Sequence, residues 1–504
     1  MKKLLVLFII SIVLFSSGLL CAFENFKAVQ DSVVEHTLKN GLRIIILPRR
    51  EVPVVSLATY ADVGSVNETK GITGLAHIFE HMAFKGTTSI GTKDIKKEIK
   101  AMDRLDDAYL SLKDPLKRKQ GSGEQADAMR VAKLEKEFEE AEKDASSFVI
   151  DNQFGQIVQE AGGVGLNAWT SADATVYHYS LPSNKLELWM SLESDRFLNP
   201  VLRDFYKEKR VIMEERRMGE SNPIGKLIEE FLAMAYKAHP YGEPTIGHMS
   251  DLETITRQEA QRFFNTYYVP SNLVIGIAGD VDPKEVMGLA ETYFGRIPAK
   301  PRPEPVETVE PPQQGERREV MEEESQPIIV IGYHKGSATD KDAAVFSAIA
   351  DIMSNGRTSR LYRSLVRDKK VATMVGGLSN EPGKKYPGLF IFYGFPAPGR
   401  TNQEVEEAID EQTVKLKTEL VDEATLRKAK TRARADLLRE LSSNMGMATT
   451  LTEYEAVTGD WRNLFKELDQ IDAVTAEDIK RVANECFVKR NKTVAAIEKS
   501  KEPE

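Results

Sequence analysis

Ile255-Thr256-Arg-Gln-Glu-Ala-Gln-Arg-Phe-Phe-Asn-Thr-Tyr-Tyr268-Val269-Pro-Ser-Asn272-Leu273-Val-Ile-Gly-Ile-Ala278 has a counterpart near the end of the chain, Val474-Thr475-Ala-Glu-Asp-Ile-Lys-Arg-Val-Ala-Asn-Glu-Cys-Phe487-Val488-Lys-Arg-Asn491-Lys-Thr493-Val-Ala-Ala-Ile497. Each stretch reads as a threonine opening a polar helix, an aromatic-valine pair, and an asparagine leading into an apolar strand. The spacing from threonine to aromatic and from aromatic to asparagine is the same in both. A helix-turn-strand unit used twice at the ends of two long segments predicts a duplicated α+β domain. Residues 299–318 hold repeated Pro, Glu and Gln with few large apolar side chains, which marks a linker. Residues 28–298 and 319–500 then form the two related domains. A chain of 504 residues is too long for one ordinary core.

Working outward, Val33 to Leu47 reads as strand, turn, strand, with Asn40-Gly41 at the turn, and Val54 to Tyr60 as a buried strand. Ile95, Ile99, Met102, Leu105, Tyr109 and Leu112 fall at helical spacing, Pro115 and Gly121-Ser122-Gly123 interrupt, and Val131, Leu134, Phe138, Ala141, Ala145 and Phe148 resume it. The segment from about 99 to 150 is expected to be a helical hairpin projecting from the first domain, either a docking arm or a solvated helix pair.

The composition, 41% hydrophobic and 29% charged, is that of a globular protein. A formal net charge of −9 argues against a general nucleic-acid binder. Lys2 and Lys3 precede the apolar run Leu4 to Phe15 and the small residues Ser16, Ser17 and Gly18, the pattern of an export signal. Residues 1–22 are expected to be cleaved after Ala22, placing the mature chain in the periplasm or outside the cell without a membrane span; an uncleaved anchor is the alternative. The 2 cysteines, Cys21 and Cys486, leave one in the mature chain, which excludes a disulfide framework, and Cys486 is expected to be buried.

The chemistry concentrates in Gly74-Leu-Ala-His77-Ile-Phe-Glu80-His81-Met-Ala-Phe84. On a helix two histidines four apart project from one face and can share an ion. Glu80 lies on neighbouring surface, close enough to polarise water on that ion. With 7 His and 77 acidic residues in the chain, chance would supply about 0.015 such matches. Histidine pairs of this kind suit zinc, and the order His-x-x-Glu-His defines the inverzincin pattern. A third ligand is sought on the helix Phe205 to Met218, where Glu208, Val211, Ile212 and Glu215 share a face. Carboxylates on an apolar stripe are costly unless used, so Glu215 is expected as the ligand and Glu208 as the carboxylate orienting a histidine; a surface acid is the alternative. Glu214 falls off that face. No Walker, Rossmann or Gly-x-Ser-x-Gly signature competes.

These residues resemble the pitrilysin and insulysin-type metallopeptidases, the group that includes mitochondrial processing peptidase. Gly74 to Thr87 looks like that family's zinc helix. Gly162-Gly163, Leu166-Asn167-Ala168-Trp169-Thr170 and Asp173 to Tyr177 resemble its substrate-edge strand. Glu208 to Glu215 is similar to its third-ligand helix, with the ligand at Glu215; Ser354 to Tyr362 fits a motif of its second domain. The resemblance implies two α/β-sandwich domains, each a mixed sheet with helices packed on it, of which only the first binds one Zn2+ per chain. It implies peptide hydrolysis, with zinc polarising water and the scissile carbonyl and Glu80 taking and returning the proton. Asn167 and Ala168 would hold the peptide backbone. Active members present an Arg and, seven residues on, a Tyr to the substrate carbonyl; Arg367 fits, whereas the second position holds Met374. Either a homologous partner in a homo- or hetero-dimer supplies the pair, or the chain is a non-catalytic binding or assembly subunit, or it works as an endopeptidase with the pair incomplete.

Overall fold

The structure, a computed structural model, describes residues 27–121 and 128–499; the expected export signal and Cys21 lie outside the described residues. Two mixed sheets dominate. The first contains β1 (Val34–Thr37), β2 (Arg43–Pro48), β3 (Val54–Ala61), β4 (Val164–Thr170), β5 (Thr175–Pro182) and β6 (Leu273–Gly279) in the order β1-β2-β6-β3-β5-β4. The second contains β7 (Arg317–Glu323), β8 (Ile328–His334), β9 (Ala372–Glu381), β10 (Leu389–Pro396) and β11 (Lys492–Lys499) in the order β7-β11-β8-β10-β9. In each sheet one pair is parallel, β2 with β6 and β7 with β11, and the rest run antiparallel. Setting β1 aside, the two sheets share order and direction, so the fold is a duplicated α+β architecture.

The repeated helix-turn-strand unit explains how the duplication is built. Thr256 Oγ1 accepts a hydrogen bond from Glu259 N at 3.2 Å, while the Glu259 carboxylate accepts from Thr256 N at 2.8 Å. Thr475 and Asp478 make the same reciprocal cap, which satisfies two otherwise orphaned N–H groups. Asn272 Nδ2 donates to the carbonyls of Asp62 and Tyr267 at 3.1 and 3.0 Å, and Asn491 Nδ2 donates to those of His334 and Cys486 at 2.9 and 3.0 Å. Each asparagine thus ties the helix end to the end of the adjacent strand, β3 or β8. The caps and the bonds from each asparagine back to its own helix end are local, which is why the pattern is legible in sequence; the bonds to Asp62 and His334 are long-range.

Each sheet has its own helices on one face and, on the other, a helix from the opposite half. The helix Asn444–Thr458 lays Met447, Ala448 and Leu451 against Ile45, Ala58, Val176 and Val274 of the first sheet. The helix Pro223–Ala235 lays Leu227 and Phe231 against Val330, Ile391 and Ala495 of the second. Central strands covered on both faces read as unbroken apolar runs, and every residue of β6 is buried. Residues 299–316 carry no helix or strand but are fastened: the Glu310 carboxylate accepts from the N–H groups of Lys237, Ala238 and His239.

The hairpin consists of the helices Ile95–Gly121 and Ala128–Ser146. The first runs through Pro115, where an interruption was expected. Its base docks on the helix Phe205–Glu220, with Tyr109, Phe138 and Tyr206 in mutual ring contact and Arg210 hydrogen-bonded to Glu142. Ile99 faces solvent, against its place in the apolar stripe. Cys486 is buried, as expected, and burial pushes its thiol up to about 12.

Candidate metal centre

His77, Glu80 and His81 ride on the helix Leu75–Met82, which packs against β4 and β5 and is pinned to β5 by the Tyr177 hydroxyl donating to the Phe79 carbonyl at 3.2 Å. Gly74, at φ 93°, lets the chain turn into this helix where an added Cβ would lie 2.6 Å from the Ile246 carbonyl oxygen. Glycine offers no side-chain cap; the buried Glu68 replaces it, its carboxylate accepting from Gly74 N at 2.7 Å and Ala76 N at 2.6 Å. Burial pushes the Glu68 carboxyl up to about 8, against the pull of those N–H groups. Glu68→Ala strands both donors in the interior. The expected cost is about 1–2 kcal/mol of stability, read from denaturant unfolding.

One ligand atom each from His77, His81 and Glu215 fall within 4.8 Å of one another. His77 Nε2 is 3.8 Å from one Glu215 oxygen and His81 Nε2 is 3.7 Å from the other. Ligands about 2.0–2.2 Å from a tetrahedral zinc stand about 3.3–3.6 Å apart, so the donor set fits that ion with a small closure. The imidazole rings meet edge-on, with centroids 5.0 Å apart. His77 is buried and Glu215 half-exposed, which leaves one side of the cluster open. Burial holds His77 below its ordinary pKa, although Glu215 opposes it, and so favours the neutral imidazole a metal requires.

Glu208 stands where a carboxylate would orient a histidine: one oxygen is 3.7 Å from His81 Nδ1, and the other accepts from the Lys85 ammonium. The Glu208 carboxylate beside it raises His81 above its ordinary value, against burial. Burial pulls Glu208 upward, but His81 and Lys85 outweigh it and its carboxyl ends below the usual range. Val211, placed by periodicity on the same buried face, is exposed; Ile212 is fully buried and Glu214 pairs with Arg217 at the surface. Glu80 is half-buried, and among the described residues none donates a hydrogen bond to its carboxylate or pairs with it.

β4 is an edge strand, paired with β5 alone, with an irregular register between Val164 and Asn167. Asn167 is exposed and the Ala168 side chain is buried, so only the backbone of Ala168 can meet a ligand. Arg367 lies on the exposed π-helical turn Tyr362–Asp368 and pairs with its neighbour Asp368 at 2.6 Å, not with the histidine cluster. Met374, on the edge strand β9, is half-exposed. Sequence reasoning missed Glu68, Lys85 and Asp251, whose hydrogen bonds hold the site but whose positions follow no local period.

Two sequence profiles match the chain: Insulinase (Peptidase family M16) matches residues 44–114 and 135–248, and Peptidase M16 inactive domain matches 254–433. The first passes over the tip of the hairpin. A protein named zinc protease PqqE from Helicobacter pylori is 27% identical over 486 residues, covering 95% of this chain and 94% of its own. A crystal structure of a protease from Helicobacter pylori superposes with a TM-score of 0.76 at 26% identity, over 92% of this chain and 99% of that one. The peptidase M16 inactive domain from Pseudomonas fluorescens shares the fold, with a TM-score of 0.73 at 16% identity over 94% of this chain and 99% of that one. Two profiles of one family follow each other along the chain; the first contains the histidine cluster found among the described residues, and the second runs from the last strand of the first sheet into the second. The chain belongs to the insulinase family, peptidase family M16.

Proposed function

We propose that this chain is an exported zinc endopeptidase acting on peptides or unfolded polypeptides. The convergence of His77, His81 and Glu215 on one open point carries this reading. Zinc held there by those three side chains would supply Lewis-acid polarisation of a carbonyl and of water. Glu208 orients His81 from behind, and Glu80 takes a proton from the attacking water and returns it to the leaving amine. The free edge of β4 offers backbone groups for an extended peptide to pair with, beside Asn167 and Ala168. Export is supported by the charged and apolar residues at the N-terminus; no helix among the described residues is long and apolar enough to cross a membrane.

The purified chain is expected to bind one zinc ion, measured by elemental analysis, and to lose peptide hydrolysis on chelation and regain it with zinc. Glu215→Ala should lower zinc affinity at least about 100-fold by removing one of three ligands. Zinc binding unaffected by Glu215→Ala would sink the ligand assignment.

A second reading has an observation of its own. Met374 cannot donate a hydrogen bond, and Arg367 is engaged with Asp368. A homologous partner subunit would then supply the Arg and Tyr, and this chain the zinc. Cleavage that appears only when such a partner co-purifies decides for it; zinc-dependent cleavage by the isolated chain decides against it.

A further inference from the structure

The segments bearing the histidines and Glu215 are distant in sequence, and the six-residue helix Met249–Thr254 joins them. On one side, Asp251 accepts from Gly71 N at 2.9 Å, Thr73 N at 3.1 Å and the Thr73 hydroxyl at 2.7 Å. The same hydroxyl accepts from His248 N at 2.9 Å. The loop that enters the histidine helix is therefore seated on this short helix.

On the other side stands Lys209, adjacent to Glu208 on the carboxylate helix and only 4% exposed. Its ammonium donates to the carbonyls of Glu253 and Ile255 at 3.2 and 3.0 Å and to the Tyr109 hydroxyl at 2.5 Å. As an ammonium its three protons meet three acceptors, while burial pulls its pKa down to about 7. Two of them are carbonyls at the C-terminal end of the short helix, where a cation is favoured. Tyr109, from the hairpin, donates in turn to the Glu253 carbonyl, and its ring lies 4.2 Å from the ammonium. A buried lysine is costly where packing is all that is required, and an apolar side chain would fill the space more cheaply. Three directed hydrogen bonds do what apolar packing does not: they set both the rotation and the axial position of the helix that carries Glu215.

We propose that Lys209 and Tyr109 are positioning residues for Glu215, which with Asp251 tie the carboxylate helix and the loop entering the histidine helix to the same short helix Met249–Thr254 and so set the spacing of the metal ligands. This rests on the zinc reading above. Productive ligand geometry tolerates only about 0.5 Å, so a loosened clamp shows first as lost metal affinity.

The test measures zinc affinity by chelator competition, and apo-protein thermal stability, for the full chain and three variants. Tyr109→Phe deletes one hydroxyl and is expected to weaken zinc binding about 10-fold; Lys209→Met is expected to weaken it further, towards about 100-fold. Tyr206→Phe, which removes the hydrogen bond to Asp106 at the same hairpin contact but keeps the ring and every hydrogen bond of Lys209, should move thermal stability and leave zinc affinity within about twofold. Tyr109→Phe carries the test if Lys209→Met does not fold. Wild-type binding with unchanged affinity in Tyr109→Phe overturns the clamp alone. A wild-type chain that binds no zinc overturns the metal reading and the clamp with it.

Discussion

Glu80→Gln is expected to keep one zinc ion per chain and lower kcat/KM for peptide hydrolysis by about 100- to 10,000-fold, the range for removing a general base. Glu80 is outside the ligand cluster, so glutamine of the same shape leaves the donor atoms of His77, His81 and Glu215 where they are. No hydrogen bond or ion pair from another described residue holds its carboxylate, so the substitution breaks nothing structural. What is lost is the capacity to take a proton, since an amide is not basic near neutral pH. Elemental analysis and steady-state kinetics on the same preparation separate the two effects. Undiminished hydrolysis would remove Glu80 from the mechanism. Loss of zinc with activity would make it structural instead.

Gly276→Val and Gly332→Val are expected to be strongly destabilising away from the site, through the contact between the halves. A Cβ on Gly276 would lie 2.3 Å from the carbonyl oxygen of Ala448, and one on Gly332 would lie 2.4 Å from the Phe231 ring. Both glycines sit under an exchanged helix, so each clash pushes one half off the other. Overpacking of this kind costs about 3 kcal/mol or more, against rigid backbone in the first case. At about 2–4 °C per kcal/mol, Tm should fall by about 6–12 °C in each variant. Protease sensitivity should rise in residues 299–316, whose fastening depends on the halves staying docked. Gly288→Ala is the control: it lies exposed on the helix Pro283–Tyr293 with nothing within 4 Å, and should stabilise by about 0.5–1 kcal/mol. Unchanged Tm in Gly276→Val would mean the exchanged helix yields easily and does not hold the halves together.

The parts of this protein legible in its residues are those whose physics is local. His77 and His81 share a face because a helix repeats every 3.6 residues, and the Thr256 and Thr475 caps and the bonds from Asn272 to Tyr267 and from Asn491 to Cys486 work within a few residues of themselves. Glu215 and Glu208 could be proposed from one helical face, but Val211 on that face proved exposed. Periodicity says which residues are neighbours on a helix; it does not say which side the tertiary contacts cover.

Sequence by itself thus determined the duplicated α+β plan, the histidine pair with its glutamate, and the buried Cys486. Tertiary structure alone decided that Glu215 closes the cluster, that Glu68 caps the histidine helix in place of glycine, and that Lys209 and Asp251 grip the same short helix. It also decided that each half covers the other's sheet. Those features pair groups from distant segments, and no local period encodes which distant partner will satisfy a buried charge or cover an apolar face.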